Sequence, residues 1–364
     1  MVSRRIKYYL PTTTLLIILC TVIYYFIVEK SPLTELHTKL AGKGVAEGRV
    51  YGHDKHCTDY ISTNKLNNMK RLLNMKTTKG VEDILYGLGY PKRTTTSGDV
   101  YIPDLPDPKV HIPDIPVIVA GASSNHFNET QAMMYNIDTV IRPVYPHIKV
   151  ILYDIGFTEL ERQAIIKYGR CELRTFNFTK YPDHIRYLHT CSWKPIIIQE
   201  VLNQHGFTMY MDASIRLKTG NLTRVFNQVK RSGINAIYIP FNNYFVPNHT
   251  FSKTFEYFKT KPCLFHGLDE IGAGFAIVVK NNLYAYTIMR SWLVCSLQRN
   301  CVMPKGTERI TYCSGFKKYH KCHRNDQSAL SIAVYMTNHD SVGSLAIPKE
   351  LFSIHRGQVM QYFH

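Results

Sequence analysis

The sequence predicts an α/β fold: a mostly parallel, twisted sheet with helices on both faces, set behind a membrane anchor and a stem. Three observations predict it. Between Ile115 and Met211 short apolar runs alternate with stretches of helical periodicity, and repeated β-α units with short links close as such a sheet. The run Tyr8–Val28 carries no charge, and at about 1.5 Å rise per residue it spans about 30 Å, the thickness of a hydrocarbon core. Prolines 103, 106, 108, 113 and 116 crowd into YIPDLPDPKVHIPDIP, which forces extended backbone and reads as a stiff spacer. The expected order is a cytosolic tail over 1–7, a signal-anchor over 8–28, a stem over 29–112 and the α/β domain over 113–364.

Each element has its own signal. In the stem, one short helix is expected around Lys65–Met75. Ile115–Ala120 (IPVIVA) is a strand apolar enough for burial on both faces. The loop Gly121–Asn125 follows, and Asn128 with Gln131 caps a helix running to about Val140. Ile148–Tyr153 is the second strand; Thr158 and Glu161 then form a capping box, and Gly169 stops that helix. Cys171–Phe176 is the third strand. Ser192 caps a helix from Trp193, with Pro195 tolerated in its first turn and Gly206 closing it. Phe207–Met211 (FTMYM) is the fourth strand and ends in Asp212. Trp292 and the pair Met133-Met134 read as core packing.

Charge and cysteines narrow the setting. Arg4, Arg5 and Lys7 precede the apolar run, while Glu29 and Lys30 nearly cancel after it. The positive-inside rule leaves the N-terminus cytosolic and the body across the membrane. A cleaved signal peptide is the alternative, but no small-x-small site follows the run. Four N-x-Thr sequons fit a lumenal body: Asn128, Asn177, Asn221 and Asn248. Beyond Cys20 the chain has eight cysteines, an even number suited to disulfides. Cys295, Cys301, Cys313 and Cys322 crowd beside His320 and His323, where zinc is the alternative, although no C-x-x-C spacing occurs. The formal charge of +17 favours anionic partners. Nucleic acid is not expected, because a lumenal body meets none. P-loop, zincin and nucleophile-elbow motifs are absent.

Ligands of open α/β sheets sit beyond the carboxyl ends of the strands. The loops after Ala120, Tyr153 and Met211 are therefore the candidates, with Ser123, Asp154 and Asp212 as their polar residues. A hydrophobic strand that delivers Asp212 to that edge supplies the hard oxygen ligand that a cation bridging a diphosphate requires. YMDASIRL, after a helix beginning SWKPIIIQE, resembles the metal-site region of a nucleotide-sugar-dependent glycosyltransferase of the GT-A fold. Asp154 in LYDIGFTE resembles that fold's carboxylate beside the uridine, and Ile271–Phe275 (IGAGF) resembles its acceptor-side segment. HRNDQSAL, from His323 to Leu330, resembles its late Asp-Gln segment. The whole also resembles an uncharacterised family of invertebrate type II membrane proteins in the nucleotide-diphospho-sugar transferase superfamily.

The resemblance implies a GT-A-like, Rossmann-like domain. It implies a Golgi type II enzyme moving a sugar from a nucleotide-sugar, expected to be a UDP-sugar, to a lumenal glycan or glycoprotein hydroxyl. The endoplasmic reticulum is the alternative location, and a non-catalytic glycan- or partner-binding module is the alternative function. It assigns Asp154, Ser123, Lys194, Asp212, Ser214 and Arg216 to the donor, and Gly272, Gly274 and Gln327 to the acceptor side. Asp326 is the expected base, with Asp269 and Glu270 as rivals. A divalent cation, Mn or Mg, is expected on Asp212 and His323; Ser214 stands where the usual Asp-x-Asp has its second carboxylate. The other source of positive charge is Arg216, Lys218 and Arg324.

Overall fold

The computed structural model describes residues 65–92, 111–239, 244–308, 313 and 322–363. The expected cytosolic tail and the span 8–28 lie outside the described residues. Among the described residues no helix is long and apolar enough to cross a membrane.

Ten helices and eight strands organise the described chain. In order they are α1 (Lys65–Leu73), α2 (Lys79–Gly87), β1 (Val117–Ala122), α3 (Phe127–Asn136), β2 (Val150–Asp154), α4 (Glu159–Tyr168), β3 (Glu172–Thr175), α5 (Lys194–His205), β4 (Phe207–Met211) and β5 (Ile215–Leu217). There follow α6 (Thr223–Ser232), β6 (Ile234–Ile239), α7 (Ser252–Tyr257), β7 (Glu270–Val279), α8 (Leu283–Ser296), α9 (Arg299–Val302), α10 (Asn325–Asn338) and β8 (Phe352–Ile354). The main sheet has the order β3-β2-β1-β4-β7-β6. Strands β1 to β4 are mutually parallel, β7 is antiparallel to β4, and β6 is antiparallel to β7. Only β7 therefore runs against the rest, and the sheet is mostly parallel. β5 and β8 form a separate antiparallel pair.

Helices cover both faces, and side-chain alternation along the strands sorts the core into two layers. On β1, Val117 and Val119 join the layer that contains α5, α8 and α10. Ile118, Ala120 and Ala122 join the opposite layer, with Met133 and Met134 of α3 and Phe226 of α6. Phe207, Met209 and Met211 of β4 belong to this second layer, whereas Tyr210 points into the first. Continuing the alternation by one step puts Asp212 on the same side as Tyr210, under the helices that carry Lys194 and Asp326.

Local signals act largely as expected. Thr158 and Glu161 form the capping box of α4, a device worth about 0.5–2 kcal/mol. Gly206 ends α5 at φ +75°, a backbone conformation that favours glycine. Trp292, Met133 and Met134 are fully buried. β4 spans Phe207–Met211 as predicted, but β1 and β2 begin two residues later than their apolar runs. Ser192 does not cap α5: its hydroxyl bonds Thr190, and Trp193 takes the cap position. Asn128 lies inside the first turn of α3 instead of capping it.

The body begins well inside the stretch read as stem. Leu72 and Met75, and Leu85 of α2, belong to the layer of α5, α8 and α10. Arg290 of α8 is buried and holds these two helices, donating to the Leu73 carbonyl (3.0 Å) and to Glu82 (3.0 Å). Tyr90 donates to Gln199 of α5 at 3.0 Å. Hydrophobic periodicity alone could not separate a helix lying on a neighbour from one standing in a spacer.

Cysteine usage departs from the full pairing expected. Cys295–Cys301 and Cys313–Cys322 are disulfides, and Cys263 is disulfide-bonded as well. Cys171 and Cys191 are free. Pairing of the four crowded cysteines also removes the thiolates a zinc site would use. Of the sequons, Asn128, Asn177 and Asn221 are exposed, while Asn248 and Thr250 are buried, which leaves no room for a glycan at 248 in the folded chain.

Candidate active site

Strand order reverses around β1, so the crevice beyond the carboxyl ends of β1 and β4 is the place a doubly wound sheet offers a ligand. Asp212 stands at that edge. Its backbone N–H donates to the Gly274 carbonyl (2.8 Å), fastening the end of β4 to β7. β7 continues past β4 here: Met211 pairs with Phe275, and residues 270–274 overhang the edge. Gly274 lies so close that a Cβ on it would stand 2.9 Å from Asp212 Oδ2.

Three elements converge on this carboxylate. Lys194, in the first turn of α5, places its Nζ 2.9 Å from Oδ1 and 3.2 Å from Oδ2. Tyr210, two residues earlier on the same strand face, donates its hydroxyl to Oδ1 at 2.5 Å. Asp326, in the first turn of α10, brings Oδ2 to 4.0 Å from the same ammonium. The Asp212 side chain is 31% exposed, whereas those of Lys194 and Asp326 are each 8% exposed. The cluster thus presents one carboxylate to solvent and holds a cation and a second carboxylate beneath it. Among the described residues no donor reaches Asp326 Oδ2.

Electrostatics follow from this burial. Desolvation raises the Asp326 carboxyl to about 7; Asp212 adds to the rise and Lys194 opposes it. Burial disfavours the Lys194 ammonium, but Asp212 foremost, with Cys191, Tyr210 and Asp326, holds its pKa well above the ordinary lysine value. Burial and the Asp212 charge keep the Tyr210 phenol protonated. Cys191, at φ +53° just before α5, has its thiol pushed up to about 12 by burial, so it is an inert neighbour of Lys194.

The other expected site residues lie elsewhere or are engaged. Asp154 ends β2, two strand spacings or about 10 Å from β4. Its Oδ1 accepts from the N–H groups of Gly156 (2.8 Å) and Phe157 (2.7 Å), and Oδ2 is held by Arg162, so it shapes its own loop. Ser123 is buried in the adjoining loop and donates to Asn125 at 2.6 Å. Ser214 accepts from the His355 N–H through its carbonyl (2.7 Å). Arg216 is buried. Its guanidinium donates to the carbonyls of Ala213, Ile215 and Glu129 and to Gln358, and desolvation lowers it to about 10. It pins the C-terminal segment to α3 and is not free for a phosphate.

His323 is turned away from Asp212. Its Nε2 donates to the Val302 carbonyl (2.9 Å) and its Nδ1 accepts from the Phe251 N–H (3.3 Å); burial lowers the imidazole to about 4, leaving it neutral. Both ring nitrogens are used in fastening α9 and α7 to the start of α10. Gln327 donates to Glu270 (3.0 Å), which also faces Arg324 (3.5 Å) and His249 (3.1 Å). Asp269 is half-buried, accepts from the Tyr238 hydroxyl (2.8 Å) and is raised by desolvation to about 6. Gly272 packs against Ile237.

A divalent cation fits these residues poorly. Among the described residues no group of three His, Cys, Asp or Glu side chains is placed to hold a metal. Both Asp212 oxygens face Lys194, which would repel a cation, and residue 214 supplies only a hydroxyl. Sequence reasoning missed Tyr210 and Cys191. Tyr210 was legible, since residues two apart on a strand share a face; Cys191 carried no signal.

A family model described as a protein of unknown function, DUF1647, matches residues 101–199, less than a third of the chain. No curated protein matches the sequence. The solved structures it resembles include glycosyltransferases of low identity. One is the bifunctional WbbM in its apo form, at 10% identity and TM-score 0.38, with 61% of this chain and 37% of WbbM covered. This chain therefore spans little more than a third of that protein. Another is the galactosyltransferase LgtC with donor and acceptor sugar analogues, at 13% identity and TM-score 0.38, with 66% and 87% covered. A third is core-mannan synthase A from Aspergillus fumigatus in its Mn/GDP form, at 8% identity and TM-score 0.38, with 65% and 74% covered. These likenesses assign no activity to this chain.

Proposed function

We propose that this chain is a glycosyltransferase that moves a sugar from a nucleotide-sugar, a UDP-sugar in the first instance, to a hydroxyl of a lumenal glycan or glycoprotein. It works in this reading as a single-pass type II protein of the Golgi membrane. One observation carries the reading: a solvent-open Asp212 at the ligand edge of the sheet, joined through Lys194 to a buried Asp326.

The geometry suggests a division of labour. The acceptor oxygen forms a bond to the sugar's anomeric carbon as the bond from that carbon to the phosphate oxygen breaks. The electron pair leaves with the nucleoside diphosphate, and the acceptor's proton passes to the Asp326 carboxylate. A carboxyl raised to about 7 suits proton transfer at neutral pH. Asp212 orients sugar or ribose hydroxyls, and the glycine at 274 leaves room for its carboxylate. The acceptor approaches along the overhanging start of β7.

The decisive measurement is release of nucleoside diphosphate, and transfer, from a panel of UDP-sugars. Asp212→Asn and Asp326→Asn are each expected to cut turnover by at least about 100-fold, with folding intact. No nucleotide-sugar turnover by the wild-type chain across the panel would refute the enzyme reading. A non-catalytic glycan- or partner-binding module is the second reading. It is favoured by the fact that Lys194 and Tyr210 already engage both Asp212 oxygens. Under it, both Asn variants would retain the cellular phenotype.

A further inference from the structure

We propose that donor binding needs no metal, because the ammonium of Lys194 takes the place that a divalent cation holds beside a diphosphate. The inference rests on the transferase reading above. It starts from what competes for Asp212. A Mg²⁺ or Mn²⁺ ion needs several oxygen ligands at about 2.0–2.6 Å. Asp212 offers the one solvent-open carboxylate of the cluster, and an ammonium sits 2.9 and 3.2 Å from its two oxygens. That ammonium is not a surface lysine leaning in. It is buried, fixed at the first turn of α5, and held protonated, although desolvation opposes this, by Asp212 foremost.

Two of the other cations expected there have employment elsewhere. Arg216 spends its donors on three carbonyls and Gln358. Arg324 donates to the Cys313 carbonyl (3.1 Å) and faces Glu270 (3.5 Å). Lys194 instead faces the carboxylates of Asp212 and Asp326, the Cys191 thiol and the Tyr210 ring. An ammonium keeps three rotatable donors on a flexible stem. It can hold Asp212 with one donor and a phosphate oxygen with another, while Asp212 stays free to accept from a sugar or ribose hydroxyl. Ser214, where a second carboxylate would complete a metal site, is no loss in this scheme, since fewer fixed negative charges then oppose the diphosphate.

Calorimetric titration of the full chain with uridine diphosphate and with guanosine diphosphate, in EDTA and in MnCl₂, tests this. The expected result is binding of at least one of the two in EDTA, with an affinity within about threefold of that in Mn²⁺. Lys194→Gln is expected to weaken it by about 10- to 100-fold, the worth of a charge-assisted hydrogen bond, and Lys194→Arg to retain most of it. Mn²⁺ strengthening wild-type binding tenfold or more overturns the inference and leaves the transferase reading standing. So does unchanged affinity in Lys194→Gln. Failure to bind either nucleotide in both buffers overturns the inference together with that reading. Should Lys194→Gln not fold, the wild-type comparison of EDTA with Mn²⁺ decides alone.

Discussion

Replacing Asp326 with asparagine is expected to stabilise the protein in a pH-dependent way while abolishing transfer. The carboxyl is buried, no donor among the described residues reaches its Oδ2, and its ammonium neighbour is 4.0 Å away, nearer to Asp212 than to it. Its folded value of about 7 lies above the roughly 3.9 of an unfolded aspartate. Between those values the unfolded chain has released the proton and the folded chain has kept it, so stability falls as pH rises. The contribution is intact below about pH 4 and lost by the time pH passes 7. At about 1.4 kcal/mol for each pKa unit, the full cost is about 4 kcal/mol. Roughly a third of it has accrued at pH 5.

Asparagine keeps the shape and cannot ionise. The gap in stability between variant and wild type should therefore widen by about 3 kcal/mol from pH 5 to pH 8. At about 1.5–2 °C for each kcal/mol in a body of about 300 residues, that is roughly 5 °C in Tm. Differential scanning calorimetry of both proteins at pH 5, 6, 7 and 8 reads it directly, and other titrating groups cancel in the difference. A gap that stays constant across this range would refute the reasoning. It would mean that Lys194 holds Asp326 ionised throughout, and that the site carries two fixed negative charges instead of one and a proton acceptor.

Two further outcomes follow from the same geometry. Gly274→Ala puts a Cβ 2.9 Å from Asp212 Oδ2, so nucleotide turnover should fall by about 10- to 100-fold, the scale of a misplacement approaching 1 Å, with Tm nearly unchanged; turnover at the wild-type rate would show that the carboxylate is not a positioned group. A chain shortened to begin at residue 93 loses the burial of Leu72, Met75 and Leu85, each worth about 1.5–3 kcal/mol, and should aggregate or melt far below a chain beginning at residue 60, as judged by gel filtration and thermal melting.

Much of the scaffold was legible because it rests on local rules. Apolar strands, the Thr158–Glu161 box and the glycine after α5 each act within a few residues, and each appears where expected to within two positions. Asp212 was found for the same reason: a strand buried on both faces can end in a carboxylate only at an edge. Among the residues expected at the site, His323 and Arg216 are engaged by partners distant along the chain, whereas Asp154 is engaged by its own loop and by Arg162 eight residues on. His323, Arg216 and Asp154 are residue types that hold metals and phosphates, but each is also a good fastener, and a sequence does not say which carbonyl or carboxylate lies opposite. The helices before residue 90 posed the same difficulty, since their apolar faces do not name the surface they cover.

The amino-acid order alone determined that strand and helix alternate here, which residues are apolar enough to fill a two-layered core, and that an acidic group closes the fourth strand. Folding decided the rest. The pleat turned Asp212 toward α5 and α10, and packing of those helices set Lys194 between two carboxylates from residues more than a hundred positions apart. That placement follows from how surfaces fit in three dimensions, and charge, burial and proton affinity at the site follow from the placement.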